Sequence, residues 1–385
     1  MEVIRAWAVT PSIHQFRFSL STMSRLILSA LALLSLLPAT FAAPSLTIQN
    51  EKLFGLGVEF NPTLKPSHFL NPGTERTVGE VTEFPLGSDL LSVPEGKKRL
   101  IVADNDVSRS YKRLSYFLTK NTKHTVTDVN SECQNESPAL KKGVLIDKEH
   151  TFEKARALLI ALAADPQNEV WVNSARSLPG LTKYLNIPGV NIASEHGTIL
   201  IHDNVKMEVT LKEADDIRAE LKKITEKYES AKISTKWAQN GAVYVHDPNT
   251  FEEMKPAIVE IEAFLKEKHP DFIHRQEEGK AYGEIKHKDA DKGNFVDKLI
   301  ATGRYYKAIS LGDQATDEGM HIAMNLMNER TGTKNFHSVI VSSKDHQKTY
   351  AAHKLNSPKE VHEMLEALVL PVNKELLKVK ITPDK

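Results

Sequence analysis

The stretch Arg99-Leu100-Ile101-Val102-Ala103-Asp104-Asn105-Asp106 is the part of the sequence from which the fold is first inferred. A short apolar run that ends in acidic residues is typical of a buried parallel strand. In an open parallel sheet, ligands bind outside the carboxyl ends of the strands. Asp104 and Asp106 are therefore the first candidates for side chains that carry chemistry.

Other apolar runs predict further strands of the same kind: Glu169–Val172, Val190–Ala193, Thr198–Ile201, Ala308–Leu311 and Ser338–Val341. Phe152 to Ala164 has helical spacing, since Ala155, Leu158 and Leu162 fall on one stripe. Strands that alternate with helices predict an α/β fold, namely a Rossmann-like core with a mostly parallel sheet. A separate lobe with two amphipathic helices and a strand interrupts this core, and it is interpreted as an inserted α/β cap.

The predicted organisation follows from these changes in pattern along the 385 residues. We expect a signal region at 1–42 (the signal proper from about residue 23), a loop-rich N-terminal extension at 43–96, a core at 97–206 and 283–372, an anomalous insertion at 107–142, a cap at 207–282 and a tail at 373–385.

The N-terminal region has the pattern of a secretory signal. Arg25 precedes the apolar run Leu26–Leu37, and small residues follow, with a plausible cleavage site after Ala42. The run is too short for a comfortable membrane span, so no stable span is expected. We therefore expect a secreted protein, and with Cys133 as its one cysteine it would have no intrachain disulfide.

The overall charge excludes some classes of partner. Fifty basic and fifty acidic residues cancel, so no net field favours nucleic acid or an anionic membrane. A charged substrate must then be bound by local charge, and a small molecule is the expected partner.

Acidic residues also follow a later predicted strand, in Gly312-Asp313-Gln314-Ala315-Thr316-Asp317. If the ligand is a phosphate ester, carboxylates repel it, and a hard cation must lie between them. Mg²⁺ prefers oxygen ligands from carboxylates, phosphate and water. We expect a Mg²⁺ site formed by Asp104, Asp106, Asp313 and Asp317, with Asp317 bound directly or through water.

The same residues suggest a reaction. A carboxylate can attack phosphorus and form an aspartyl-phosphate, and Asp104 at the strand tip suits that role. Asp106 could protonate the leaving oxygen and then activate water. The transferred phosphate needs positive charge and hydrogen-bond donors, which Ser174 and Lys292 could supply.

The order of four motifs resembles the haloacid-dehalogenase-type phosphatases and, within them, the trehalose-6-phosphate phosphatases. The motifs are Asp165-Pro166-Gln167-Asn168-Glu169-Val170-Trp171-Val172-Asn173-Ser174-Ala175-Arg176, Glu195-His196-Gly197, Asp291-Lys292-Gly293 and Gly312-Asp313-Gln314-Ala315-Thr316-Asp317-Glu318. The resemblance extends from about Arg99 to Leu370. It implies Asp104 as nucleophile, Asp106 as acid and base, Ser174 and Lys292 as phosphate ligands, Asp313 as a metal ligand, and Arg176 and Glu195 near the substrate.

Some positions depart from the family pattern. Gln314 replaces a second aspartate, and Ala175 replaces a glycine. Of the residues by which the family's cap recognises its sugar, only Lys236 and Glu284 have matches. The expected function is Mg²⁺-dependent hydrolysis of a sugar phosphate, with trehalose 6-phosphate as the first candidate. The alternative is a catalytically inactive, secreted protein that binds a carbohydrate or a partner on the same scaffold.

The predicted insertion interrupts the first motif. Removing residues 107–142 joins Asp104-Asn105-Asp106 to Gly143-Val144-Leu145, which is the continuation that the family shows. We hypothesise a retained intron, because Val codons begin with GT and one Lys codon ends in AG. The alternatives are a genuine extra cap or an insertion that inactivates the site.

Overall fold

The structure is a computed structural model, and it describes residues 47–48, 74–86, 91–104, 144–146, 151–246, 250–276 and 282–378, with the backbone alone at 47–48 and 236–237. The predicted signal region, Asp106, the insertion at 107–142 and the side chain of Lys236 lie outside these described parts. Among the described residues, no helix combines the length and apolar character needed to cross a membrane.

The core is a ten-stranded sheet with the strand order β1-β8-β7-β6-β5-β4-β13-β14-β16-β3. Its strands are β1 (Thr47–Ile48), β3 (Thr82–Glu83), β4 (Lys98–Asp104), β5 (Asn168–Asn173), β6 (Val190–Ser194), β7 (Ile199–His202), β8 (Val205–Glu208), β13 (Tyr305–Gly312), β14 (Phe336–Val341) and β16 (His353–Leu355). The strands from β6 to β3 in this order pair in parallel, whereas β7 is antiparallel to both of its neighbours. The predicted α/β fold with a mostly parallel core sheet is confirmed.

Helices cover both faces of this sheet. They are α1 (Phe152–Ala163), α2 (Thr182–Leu185), α5 (Lys292–Ala301), α6 (Glu318–Thr331) and α7 (Pro358–Glu366). Every residue of the central strand β5 is buried, as expected for a strand covered on both sides. One apolar cluster lies under α1 and α7, and a second lies under α5 and α6.

The cap is a separate antiparallel sheet with two helices on one face. Its strand order is β11-β12-β10-β9. The elements are α3 (Glu213–Lys227), β9 (Ser234–Ala238), β10 (Gly241–Val245), α4 (Phe251–Lys268), β11 (Phe272–Arg275) and β12 (Tyr282–His287). The apolar stripes of both helices pack on this sheet in a cluster of their own.

The cap boundaries differ from the prediction of 207–282. Strand β12 continues to His287 and pairs along its length with β10, so it belongs to the cap rather than to the resumed core. At the other end, β8 pairs with β7 and keeps the chain in the core sheet as far as Glu208. Both differences depend on pairing between distant segments, which local patterns do not reveal.

The described parts of the predicted loop-rich N-terminal extension contribute short strands and buried side chains to the core. Strand β1 pairs with β8 at one edge of the sheet, and β3 pairs with β16 at the other. A further short strand, β2 (Arg76–Thr77), pairs with β15 (Lys348–Thr349). Phe84 and Leu91 are buried in the core. Strands of two residues are too short to show periodicity, which is why the sequence did not predict them.

The predicted tail at 373–385 also begins inside a packed element. A 3₁₀ helix spans Pro371–Lys378, and Leu376 and Leu377 pack against the core cluster. The Asn373 side chain donates a hydrogen bond to the carbonyl of Ala161 in α1 at 3.4 Å. The chain is therefore attached to the core as far as Lys378.

Candidate active site

Three predicted acidic residues meet at the carboxyl edge of the core sheet. Asp104 ends β4, Asp313 directly follows β13, and Asp317 ends the short 3₁₀ turn Ala315–Asp317. Strands β4 and β13 are parallel neighbours, so their ends lie side by side. One carboxylate oxygen from each of the three residues lies within 4.8 Å of those from the other two.

Lys292 lies inside this acidic cluster. Its Nζ donates to Asp104 Oδ1 at 2.5 Å and to Asp317 Oδ1 at 2.7 Å, and all three side chains are fully buried. Lys292 is the first residue of α5, whose N-cap Asp291 accepts a hydrogen bond from the backbone N–H of Gly293 at 2.7 Å. The helix start thus fixes the ammonium between two carboxylates.

Gly293 shows why glycine follows Lys292. A Cβ atom placed on Gly293 would lie 2.3 Å from the carbonyl of Gly319, closer than any real contact. Helices α5 and α6 can therefore approach each other only if this position carries no side chain. This close approach brings Lys292 and Asp317 into contact.

Asp317 organises the turn that carries Asp313. Its Oδ2 accepts hydrogen bonds from the backbone N–H groups of Asp313 and Gln314, each at 3.0 Å. A Cβ atom on Gly312 would lie 2.3 Å from Asp317 Cβ, so the turn requires glycine there. The spacing of the Gly-Asp-x-x-x-Asp motif is thus explained by one carboxylate that closes its own turn.

Ser174 and Arg176 lie at the end of the neighbouring strand β5. The register pairs Asp104 with Asn173, which places Ser174 one residue beyond Asp104 at the same edge. The Ser174 hydroxyl accepts a hydrogen bond from the backbone N–H of Arg176 at 3.2 Å. Asn173 donates from its side chain to the carbonyl of Lys292 at 3.2 Å. This contact links β5 to the cluster, and no sequence motif had singled out Asn173 for it.

Glu195, which the resemblance implies near the substrate, contacts the cap backbone. Its Oε1 accepts from the N–H of Gln239 at 2.7 Å, and its Oε2 accepts from the N–H of Asn240 at 2.9 Å. Burial raises the pKa of this carboxyl, although the two backbone donors oppose the shift. The side chain therefore anchors the turn between β9 and β10 to the core.

His196 and Glu284 form a second contact between core and cap. His196 Nε2 lies 2.7 Å from Glu284 Oε1 on β12, and the backbone N–H of His196 donates to the carbonyl of Ser174 at 3.1 Å. Burial alone would raise the pKa of Glu284, but His196, followed by Lys286 and Arg275, lowers it below its ordinary value. The importance of His196 was not recognised from the sequence, where it was only a member of the Glu-His-Gly motif.

Lys236, the other predicted cap residue, occupies β9, where its backbone pairs with Val243 of β10.

The turn from Glu195 to Gly197 has positive φ angles throughout, 47° at Glu195, 60° at His196 and 89° at Gly197. A Cβ atom on Gly197 would lie 2.7 Å from Phe295 Cβ. This left-handed turn directs Glu195 and His196 toward the cap.

The composition of the acidic cluster fits a hard divalent cation. Three carboxylates and one ammonium leave these four side chains with two formal negative charges. Asp104 and Asp317 are fully buried, and Asp313 is partly buried. Buried like charges are costly unless they are compensated. Oxygen ligands of this kind suit Mg²⁺ better than metals that favour nitrogen or sulfur.

The sequence matches the trehalose-phosphatase family profile over residues 146–356. It is 25% identical to the trehalose-phosphatase of Saccharomyces cerevisiae, over 55% of this chain and 28% of that protein. It is 27% identical to the trehalose-phosphatase of Schizosaccharomyces pombe, over 48% of this chain and 24% of that protein. The chain thus spans only about a quarter of the length of these relatives.

Two solved structures share the fold of this chain. The C-terminal domain of Candida albicans trehalose-6-phosphate phosphatase has a TM-score of 0.54 at 20% identity, over 71% of this chain and 93% of that one. The C-terminal domain of the Candida albicans trehalose synthase regulatory protein has a TM-score of 0.52 at 13% identity, over 76% of this chain and 100% of that one. The resemblance seen in the motifs is confirmed, and the chain belongs to the trehalose-phosphatase family.

Proposed function

We propose that this protein is a Mg²⁺-dependent phosphatase that hydrolyses a sugar phosphate, with trehalose 6-phosphate as the first candidate. The observation that carries the proposal is the bridge from Lys292 to Asp104 and Asp317, in a cluster that retains negative charge. Such a cluster is suited to a divalent cation, which offsets the two negative charges of the four side chains and can then bind a phosphate ester.

The positions of these side chains support a reaction through an aspartyl-phosphate. A carboxylate oxygen of Asp104 attacks phosphorus while the bond from phosphorus to the sugar oxygen breaks, which gives an aspartyl-phosphate and the free sugar. Lys292 holds Asp104 in place and compensates its charge. Ser174, at the same sheet edge, would donate its hydroxyl hydrogen to a phosphate oxygen. Water then attacks phosphorus, releases inorganic phosphate and restores Asp104.

Asp104 and Asp313 would hold the Mg²⁺ ion, with Asp317 bound directly or through water. A bound Mg²⁺ supplies positive charge between the carboxylates and the phosphate, and it lowers the cost of bringing them together. The proton for the leaving sugar oxygen is assigned to Asp106 on the basis of its motif.

The preference for a sugar phosphate is supported by the cap and by the relatives. At the contact between core and cap, His196 pairs with Glu284 of the cap, and its backbone N–H donates to the carbonyl of Ser174. The part of the substrate beyond the phosphate would lie at this contact. The curated relatives are trehalose-phosphatases. The secreted location expected from the sequence remains a proposal of the same kind.

The test compares turnover of trehalose 6-phosphate, glucose 6-phosphate and p-nitrophenyl phosphate by the purified protein in the presence of Mg²⁺. We expect the wild type to turn over the sugar phosphate. Turnover should fall at least about a thousandfold in Asp104→Asn, because the variant lacks the nucleophile. The control is Asp271→Asn, an exposed cap carboxylate that pairs with Lys288. Hydrolysis that survives in Asp104→Asn would contradict the mechanism.

The same assay is run on protein with and without residues 107–142, together with sequencing of the transcript across that segment. If these residues are a retained intron, the shorter protein should be the more active one. Binding of trehalose 6-phosphate without turnover in both forms would contradict the phosphatase and favour a binding protein.

A further inference from the structure

A row of cap residues crosses the sheet from one strand to the next. In the register of the three strand pairs, Lys236 lies opposite Val243, Val243 lies opposite Glu284, and Glu284 lies opposite Arg275. Residues directly opposite in antiparallel strands have their side chains on the same face, about 5 Å apart. Arg275 therefore shares a face with Glu284.

That face points toward the core rather than toward the cap helices. On β11, His274 Nδ1 lies 3.0 Å from Glu262 Oε1 of helix α4, so His274 faces the helices. Successive residues of a strand point to opposite faces, which puts Arg275 on the other side. Glu284 marks this other side as the core side, because it contacts His196 of the core.

Glu284, which lies opposite Arg275 on the neighbouring strand, is connected to the phosphate end of the site through a short series of contacts. Glu284 contacts His196, and the backbone N–H of His196 donates to the carbonyl of Ser174. The positive charge of Arg275 is close enough to help lower the pKa of Glu284. A substrate whose phosphate lies at Ser174 and Asp104 would extend its remaining part toward Glu284 and then Arg275.

We propose that Arg275 is a specificity residue that donates hydrogen bonds to hydroxyl groups of the sugar, with Glu284 as the neighbouring acceptor. This proposal rests on the proposed function and specifies how the cap recognises the substrate. Sugar hydroxyls are both donors and acceptors, so an adjacent guanidinium and carboxylate can bind neighbouring hydroxyls together. The guanidinium offers several N–H groups in one plane, which suits this task better than an ammonium.

The first measurement is the kinetics of Arg275→Gln. We expect kcat/KM for trehalose 6-phosphate to fall about tenfold to a hundredfold, mainly through KM, because hydrogen bonds to a charged donor are lost. The value for p-nitrophenyl phosphate, which has no sugar, should stay unchanged within about twofold. Arg275→Lys should recover only part of the loss. If Arg275 had a purely structural role, its replacement would lower kcat/KM for both substrates together.

The control is Lys288→Gln, which removes a positive charge from the end of the same pair of strands. Lys288 is exposed and pairs with Asp271, so its removal should leave kcat/KM for both substrates unchanged. Equal losses in Lys288→Gln and Arg275→Gln would overturn the proposal, because they would show a general effect of cap charge.

A binding measurement keeps the test independent of turnover. In an Asp104→Asn background, calorimetry compares the affinities for trehalose 6-phosphate and inorganic phosphate with and without Arg275→Gln. We expect only the affinity for the sugar phosphate to fall. If wild-type protein shows no turnover but this difference is found, the proposed hydrolysis fails and the role of Arg275 stands. An unchanged affinity for the sugar phosphate, or no binding of it at all, overturns the role of Arg275.

Discussion

The two ends of the core sheet both bury charged side chains, but they do so in different ways. At the amino end, Glu169 accepts hydrogen bonds from Trp171 Nε1 at 3.0 Å, from the Tyr305 hydroxyl at 2.7 Å and from Arg304 at 3.1 Å. At the carboxyl end, Lys292 bridges Asp104 and Asp317, and Asp313 adds a third carboxylate.

This difference shows that burial of charge alone does not identify a functional site. Glu169 is surrounded by donors, and the pKa of Tyr305 is raised by burial and by Glu169, so that its hydroxyl keeps its proton. That arrangement needs nothing further. The four described side chains Asp104, Asp313, Asp317 and Lys292 carry more negative than positive charge, which is costly in a buried setting unless a ligand contributes positive charge.

Among the changes that compare the two ends of the sheet, the largest effect is expected from Lys292→Met, which would remove the ammonium that bridges Asp104 and Asp317. Turnover should fall about a hundredfold or more, since Asp104 loses its orientation and its charge partner. The free energy of unfolding should also fall by roughly 3–5 kcal/mol, because two buried carboxylates lose their cation. Steady-state kinetics and urea unfolding measure the two quantities.

Lys298→Met is the matched control for that change, because Lys298 lies on the same helix α5 and is also partly buried. Burial lowers the pKa of Lys298, with Asp289 and Asp297 opposing the shift. Turnover in this variant should stay close to that of the wild type. A comparable loss of turnover in both variants would show that Lys292 has no specific role in turnover.

The next effect concerns Mg²⁺ and stability without any turnover. A ligand that binds only the folded state stabilises it by about 2.7 kcal/mol at a concentration one hundred times its Kd. We expect Mg²⁺ to raise the thermal midpoint of the wild type, and Asp313→Asn to abolish this shift. Asp165→Asn at the amino end should keep it. A Mg²⁺ shift that persists in Asp313→Asn would contradict the assignment of the ion to this cluster.

Glu169→Gln is expected to show the reverse pattern. The free energy of unfolding should fall by roughly 1–3 kcal/mol, because buried donors lose a charged acceptor. Turnover should remain within about twofold of the wild type, since Glu169 lies at the end of the sheet away from the cluster. Calorimetry and kinetics on one preparation test both statements. A large loss of turnover with normal stability would show that the amino end also takes part in function.

The smallest effect is a change in pH dependence at the contact between core and cap. The folded pKa of Glu284 lies below its ordinary value of 4.5. Its stabilising contribution is therefore present above pH 4.5 and is lost as pH falls through the lowered pKa. Glu284→Gln should flatten the acid side of the stability curve, measured by urea unfolding from about pH 6 to about pH 3. An unchanged slope would contradict the assigned shift.

The carboxyl end was largely predictable, whereas the contacts of the cap were not. Asp104, Lys292, Asp313 and Asp317 each stand at a strand end or helix start, where short local motifs already fix the geometry. Glu195 stands in such a motif too, but its partners are backbone groups of a turn more than forty residues away. Contacts of that kind depend on how two sheets meet, and no local pattern encodes them.

The cap residues depend on register in the same way. Arg275 acquires its neighbour Glu284 only when β11 and β12 pair, and a shift by one residue would turn it to the other face. The edge strands β1 and β3 have two residues each, too few for a periodic signal. The sequence therefore predicted the acidic cluster better than the contacts of the cap sheet.

The left-handed turn from Glu195 to Gly197 stores conformational strain between the two sheets. A left-handed conformation costs roughly 1–2 kcal/mol for a residue other than glycine, and Glu195 and His196 both adopt it. The contacts of these side chains with the cap, and of their backbone with Arg176 and Ser174, hold the turn in this state. The turn is therefore held in a strained conformation by its neighbours. A movement that parts the cap from the core would remove the side-chain contacts and leave the backbone contacts with Arg176 and Ser174 to hold the strained turn.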